Sequence, residues 1–322
     1  MTIRKTIVKS VRITAVSIFL VVWTTLASAP GQAAGLKIAL LPIVDSLPFY
    51  VAAAQGYFKE AGMPITALPV DSALERDQLM QAGAVDGALN EMIAVANVNR
   101  ETVQVKVIGV ARKARPGVPL FRLLAAPGSG LSRPTHLAGV PIGVSAHTTS
   151  EYVTDRVLVA LGLPPQRIEK KSVPSIPERY QRLLQGQIRA ATLPDPLALS
   201  AIRAGAIEVV NDSSFSRYSF SVLSFTDRAL GEKADAVRIF LAGWYRAAAD
   251  INADSEAFRP LVMKHIRVPG NIGNTFRVPP FPKAGVPDAG QWADVMDWMT
   301  ARGLIDKPVS YEGSVTDAYL PR

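Results

Sequence analysis

The chain has 322 residues, of which 48% are apolar, so it is long enough for two domains with a sizeable core. It has no cysteine, which excludes disulfide bonds, thiolate metal sites and a lipidated N-terminal cysteine. The formal net charge is +8, but four of the 35 lysines and arginines lie in the first twelve residues; the other 31 against 27 acidic residues give +4. Because these charges are scattered, without interleaved aromatic residues, no nucleic-acid partner is indicated.

The first 34 residues have the pattern of a secretory signal peptide. A basic start is followed by an apolar run from Ile13 to Leu26 and then by small residues. We expect cleavage after Ala33 or Ala34, because Pro30 disfavours the earlier Ala-Ser-Ala site. An uncleaved anchor is the alternative, although a bilayer span needs roughly 20 apolar residues. The pattern therefore predicts an exported protein.

Residues 36–125 predict strands that alternate with helices. The predicted elements, in chain order, are a strand at 36–41, a helix at 49–61, a strand at 65–70, a helix at 74–82, and strands at 87–89, 103–110 and 120–125. Short apolar runs separated by helices and short links indicate a parallel sheet covered by helices.

The same order then begins again. The second set has strands at 140–144, 168–173, 190–192 and 207–210, with helices at 150–161, 178–185 and 197–204 between them. Residues 81–88 align with residues 184–191, since in each segment a helix ends near a glycine and a small-residue strand follows. The repeated order predicts two similar lobes. The last third is predicted to be helical at 234–252, 256–265 and 288–302, around a proline-rich stretch at 268–287.

Several segments of the mature chain carry a resemblance to a known family. They are LKIALLP at 36–42, PFYVA at 48–52, QGYFKEAG at 55–62, GAVDG at 83–87, GVPIGV at 139–144 and LPDP at 193–196. In content and order they resemble the nitrate/sulfonate/taurine and thiamine-pyrimidine group of periplasmic solute-binding proteins, which serve ABC importers. One departure is Arg189, at a position where the group usually has an acid.

The resemblance implies an α/β fold of the periplasmic-binding-protein type, with two α/β lobes joined by two crossover strands and a ligand cleft between them. The crossings would be at 120–125 and 219–224. Lobe one would then span about residues 35–125 plus 222–322, and lobe two about residues 126–221.

The functional expectation that follows is a periplasmic monomer without a cofactor. It would close its lobes on a small-molecule ligand and deliver that ligand to an ABC importer permease in the inner membrane. A periplasmic sensor that acts in trans on a receptor would use the same body and stays an alternative.

Candidate ligand-binding residues lie in polar loops that follow predicted strands, where ligands of parallel α/β sheets bind. They are Asp45, Ser46, Asn90, Glu91, Ser145, His147, Thr148, Thr149 and Asp195, with Arg112 as a cation that reaches the cleft. The hydroxyl-rich turn at 145–150 precedes a helix, whose N-terminus favours an anionic group. The acidic candidates favour an amine or aminopyrimidine instead. The ligand class therefore stays open, with a slight preference for a small organic anion over a pyrimidine-like compound.

Six of the candidates also have a purely structural interpretation. Thr149 (or its neighbour Ser150) and Asp195 would be helix caps, Asp45 and Asn90 turn residues, and Glu91 and Arg112 solvated surface charges.

No catalytic residue and no metal site is predicted. The segment GVSAH at 143–147 lacks the final glycine of a nucleophile elbow, and the sequence has no phosphate loop, dinucleotide fingerprint or His-Glu-x-x-His motif. His136, His147 and His265 are widely separated. An enzyme on this fold is the least favoured alternative.

Overall fold

A computed structural model describes residues 35–322. The predicted signal peptide and its cleavage site lie outside the described residues. Within residues 35–322, no helix combines the length and the apolar character that a bilayer crossing requires.

The described residues form ten strands in two five-stranded sheets. In chain order the strands are β1 Leu36–Leu40, β2 Ile65–Pro69, β3 Gly87–Asn90, β4 Val105–Lys113, β5 Phe121–Ala125, β6 Ile142–Val144, β7 Lys170–Ser172, β8 Ala190–Pro194, β9 Ile207–Asn211 and β10 Phe220–Thr226.

Eleven α-helices occur in the same residues. They are α1 Leu47–Ala54, α2 Ala73–Gln81, α3 Met92–Val98, α4 Thr149–Ala160, α5 Ile176–Leu184, α6 Leu197–Arg203, α7 Asp227–Glu232, α8 Ala234–Ala253, α9 Arg259–His265, α10 Ala289–Ala301 and α11 Tyr311–Ser314. Short 3-10 turns lie at Val44–Ser46, Lys59–Ala61, Pro134–Leu137, Pro165–Arg167, Glu256–Phe258 and Gly270–Ile272.

The two sheets share one strand order. Sheet one is ordered β2-β1-β3-β10-β4 and sheet two β7-β6-β8-β5-β9. In each sheet the first three strands are parallel, and the fourth is antiparallel to both of its neighbours. The common order confirms the prediction of two similar α/β units. The expected parallel pairing holds for the first three strands of each sheet and fails at the fourth strand, which enters from the other half of the chain.

The chain passes between the sheets twice. It leaves β4 of sheet one for β5 of sheet two through residues 114–120, and it returns from β9 to β10 through residues 212–219. Strand β5, predicted as a crossing strand at the end of lobe one, forms all its strand pairs in sheet two.

One face of sheet one is covered by α8 and α1. Phe240, Leu241 and Trp244 of α8 are fully buried and share a cluster with Phe49 of α1 and Phe225 of β10. The prediction that the helix near 234–252 presents a core face is confirmed. Burial of large aromatic side chains makes this cluster a major source of stability.

Two element boundaries differ from the prediction for physical reasons. Helix α1 ends at Ala54 instead of residue 61, because Gly56 adopts φ +74°, a left-handed conformation that ends helices. Strand β4 continues to Lys113, three residues beyond its predicted end, and so places Arg112 inside the strand.

Candidate functional site

Two small adjoining cavities, of about 60 and 70 Å³, lie between the two sheets, and together they form the inter-sheet cleft. Both are lined by Leu41, Ile43 and Phe121, and both are reached by Pro194 at the end of β8. Because β1, β3, β6 and β8 end at this cleft, it has the position in which α/β folds bind ligands.

The first cavity has a buried ion pair on its sheet-one side. Asp45 is 4% exposed, and its Oδ1 accepts a hydrogen bond of 2.9 Å from Nη1 of Arg112, which is 1% exposed. Oδ2 of Asp45 accepts from the hydroxyl of Ser221 at 2.7 Å. Arg112 also donates to the carbonyl of Pro119 at 2.8 Å. The charge of Asp45 at the cavity wall is therefore neutralised by Arg112, which lies behind it.

A second ion pair joins the cavities. Nη2 of Arg76 donates to Oε1 of Glu91 at 3.0 Å, and its Nε donates to Asp77 at 2.8 Å. Burial alone would lower the pKa of Arg76, but the charges of Asp77 and Glu91 raise it overall. Arg76 is thus firmly protonated and fixes the carboxylate of Glu91.

That carboxylate also contacts the other sheet. Oε2 of Glu91 accepts a 2.6 Å hydrogen bond from the backbone N–H of Thr149, the first residue of α4. A carboxylate at a helix N-terminus is favoured by the helix dipole. The N-terminus of α4 is therefore partly satisfied by the protein's own acid.

The turn before α4 is held by internal hydrogen bonds. Thr148 is the N-cap: its hydroxyl accepts from Ser150 N–H and donates to the Ser145 carbonyl at 2.8 Å. Ser145 N–H donates to the Ser150 hydroxyl at 3.0 Å, and the N–H of His147 donates to Glu151 at 2.7 Å. The free backbone donors expected from the sequence are engaged within the chain. The helix cap expected at Thr149 or Ser150 is Thr148 instead, because α4 already begins at Thr149.

Arg179 of α5 lines the second cavity and is 1% exposed. Its Nε donates to the Thr192 carbonyl at 2.9 Å and its Nη1 to the Val173 carbonyl at 2.6 Å. Among the described residues it forms no ion pair. Burial without a counter-charge lowers its pKa to about 10, so the side chain is still protonated at neutral pH.

Asp195, at the end of β8, is held by Arg122 of β5. The guanidinium binds both carboxylate oxygens at 3.0 Å, and the same arginine pairs with Glu208. Burial raises the pKa of Asp195 against the opposing effect of Arg122. The carboxylate is occupied by this contact.

The two connecting segments between the sheets are tied by Asp212. Its carboxylate is fully buried and accepts from the backbone N–H groups of Leu120 and Phe121, both at 2.9 Å, and from the hydroxyl of Ser219. Burial raises the pKa of Asp212 to about 6. A single carboxyl group therefore links both crossings of the chain.

Sequence comparison identifies the family. The profile of the family described as NMT1/THI5 like matches residues 43–257, well over half of the chain. The chain belongs to the NMT1/THI5-like family. A search of curated protein sequences finds no match to it.

Solved structures similar to this NMT1/THI5-like chain share its fold at low identity. The alkanesulfonate-binding protein SsuA from Xanthomonas axonopodis pv. citri, bound to MOPS, has a TM-score of 0.74 at 17% identity, over 88% of this chain and 99% of its own. The nitrate-binding protein NrtA from Synechocystis PCC 6803 has a TM-score of 0.65 at 12% identity, over 88% and 86% of the two chains.

A third similar structure names the fold itself. The Candida albicans CA3427 product, described as having the generic periplasmic binding protein fold, has a TM-score of 0.69 at 14% identity, over 89% of this chain and 98% of its own. The predicted fold class, two α/β lobes of the periplasmic-binding-protein type, is confirmed.

The structure brings part of the predicted site together. Cavity-lining residues among the predicted ones are Asp45, Asn90, Glu91, Ser145, Thr148 and Thr149. Their role in ligand binding stays a prediction. The interpretation of Glu91 and Arg112 as solvated surface charges is wrong, because both are buried.

Four predicted residues line neither cavity. Ser46 donates its hydroxyl to the Leu41 carbonyl at 2.6 Å, Arg112 lies behind Asp45, Asp195 is held by its arginine, and His147 is exposed with φ +60°.

Sequence reasoning missed Arg76 and Arg179. Both lie on helices in which the only other buried residue is four positions further on, Met80 in α2 and Leu183 in α5. An arginine in line with the buried face of a helix was the available signal, since residues four apart share a face.

Proposed function

We propose that this protein is the substrate-binding component of an ABC importer, which captures a small organic solute between two lobes in the periplasm and delivers it to an inner-membrane permease. The observation that carries the proposal is the inter-sheet cleft, lined from both sheets at the ends of β1, β3, β6 and β8. The fold of the alkanesulfonate- and nitrate-binding proteins supports it by analogy.

Two connecting segments tied by Asp212 fit a hinge about which two lobes would close. We place the lobes on either side of these segments, close to the boundaries expected from the sequence. Ligand binding would stabilise the closed form by the difference in its affinity for the closed and open states.

We also propose binding without catalysis. In residues 35–322, neither cavity has a histidine in its lining. A cleft without the histidine that most often activates a serine nucleophile fits a receptor better than a hydrolase.

A thermal-shift screen of the mature protein against alkanesulfonates, aromatic acids, nitrate, taurine and aminopyrimidines tests this function. A ligand at a hundredfold excess over its Kd should add about 2.7 kcal/mol to the free energy of unfolding. Co-purification with a membrane permease, rather than with a receptor, would support the importer role. No stabilisation by any small solute would contradict the proposed function.

A further inference from the structure

The buried arginines around the inter-sheet cleft have acidic partners among the described residues, with one exception. Three arginines next to the cavities are at most 2% exposed: Arg76, Arg112 and Arg179. Arg76 is neutralised by Glu91 and Asp77, and Arg112 by Asp45. Arg179 has no acidic partner among the described residues, and its hydrogen bonds go to backbone carbonyls alone, so its guanidinium is locally unpaired.

The internal repeat explains why that partner is missing. The alignment of residues 81–88 with 184–191 extends backward to match Arg76 of α2 with Arg179 of α5. It is supported by Gly83 and Gly186, which both have positive φ. Extended forward, it matches Glu91 with Pro194, so the acid that neutralises Arg76 has a counterpart without a carboxylate. A buried, unpaired guanidinium is costly unless something neutralises it.

The guanidinium of Arg179 is positioned in advance. Its bonds to the carbonyls of Thr192 and Val173 use Nε and Nη1, and Nη2 has no hydrogen-bond partner within residues 35–322. A fixed guanidinium with a free N–H edge is suited to binding an oxyanion.

The rest of the cleft offers an apolar surface and no free acid. The walls shared by both cavities include Leu41, Ile43, Phe121 and Pro194. The acids at the cleft, Asp45 and Glu91, are already bound by arginines. An ammonium group would find no free carboxylate there, whereas an alkyl or aromatic body would be sheltered from water.

We propose that Arg179 binds the anionic group of the ligand, and that the ligand is a monoanion with an apolar body, such as an alkanesulfonate or an aromatic carboxylate. This inference rests on the proposed function of the cleft as a solute-binding site. The hydroxyl turn of Ser145, Thr148 and Ser150, which lines the same cavity, faces the anionic end.

Calorimetric titration of the wild-type protein with matched compounds tests the charge preference. Ethanesulfonate and taurine differ by one ammonium group, and hexanesulfonate and nitrate differ in the apolar body; benzoate and an aminopyrimidine complete the set. We expect ethanesulfonate to bind about tenfold or more tightly than taurine, because the ammonium group of taurine would be buried without a free carboxylate. Hexanesulfonate should likewise bind more tightly than nitrate, and benzoate more tightly than the aminopyrimidine. Tighter binding of taurine or the aminopyrimidine would overturn the proposal and leave the proposed function intact. No binding by any compound would contradict both.

The role of Arg179 is tested with Arg179→Met. The variant should bind the preferred anion about tenfold or more weakly. Arg182→Met, on the same helix but paired with Glu178 at the surface, should bind as the wild type does. Equal affinity of the two variants would overturn the assignment of Arg179. The titrations of the wild-type protein with the paired compounds do not use this variant. They therefore test the charge preference even if Arg179→Met does not fold.

Discussion

Oε2 of Glu91 and the backbone N–H of Thr149 are 2.6 Å apart, and this hydrogen bond joins a residue that follows a strand of sheet one to a helix that follows a strand of sheet two. Since the other oxygen of the carboxylate is bound by Arg76, the contact is fixed at both ends. It bridges the two sheets at the wall of the cleft.

Replacing Glu91 with glutamine should destabilise the protein. The Glu91→Gln variant keeps the size of the side chain but removes a buried counter-charge from Arg76, which retains Asp77. We expect the free energy of unfolding to fall by about 1–3 kcal/mol, measured by chemical denaturation. Glu101→Gln, at an exposed position, is the control and should have no effect. Equal stability of the two variants would mean that the bridge contributes nothing.

Thr148 should matter as a helix cap. Thr148→Ala removes the hydroxyl that accepts from Ser150 N–H and donates to the Ser145 carbonyl, at a cost of about 1 kcal/mol in the free energy of unfolding. Thr148→Ser keeps the hydroxyl and should be close to wild type. Equal destabilisation by both changes would assign the effect to the methyl group.

Helix α4 also contacts α10, which carries Asp294 and Trp298. Asp294 accepts hydrogen bonds from the Tyr152 hydroxyl and from Nε of Arg156, the latter at 2.9 Å, and Trp298 donates to Asp155 at 2.8 Å. Helix α4 follows β6, a strand of sheet two, whereas α10 packs against α3, which follows β3 of sheet one. These bonds therefore link the part of the protein built on sheet one to the part built on sheet two.

Asp294→Ala should therefore favour a more open form. Small-angle X-ray scattering of the ligand-free variant should give a larger radius of gyration than the wild type, and saturating ligand should restore the wild-type value. Asp297→Ala, on an exposed position of the same helix, is the control. If both variants scatter alike without ligand, the contact does not govern closure.

Asp212 predicts a specific pH dependence of stability. Its pKa is about 6 in the folded protein and about 3.8 in the unfolded chain, so the folded state keeps the proton to higher pH. The stabilising contribution is present below pH 3.8, declines as the pH rises to about 6, and is absent above. Asp212→Asn lacks this titration. The difference in the free energy of unfolding between wild type and variant should therefore change across this window, and a constant difference would contradict the assigned pKa.

The fold was largely predictable because its signals are local. Strands such as β1 are continuous apolar runs, and glycines such as Gly83 and Gly186 end helices. The antiparallel strands β5 and β10 were not predictable from local pattern, since their place in each sheet depends on pairing with the other half of the chain.

The candidate site was predictable only in part. Loops after strands located Asp45, Asn90 and Glu91, because strand ends meet at the cleft. Arg76 and Arg179 project from helices, where an arginine is usually solvated, and their burial depends on contacts made across the fold.

A crystal structure of the protein with its preferred anion tests the central claim most directly. The account predicts electron density for one ligand in the inter-sheet cleft, with its anionic group on Arg179 and its apolar body against Phe121, so that residues of both halves touch it. A ligand bound on an outer face, or by residues of one sheet alone, would contradict it.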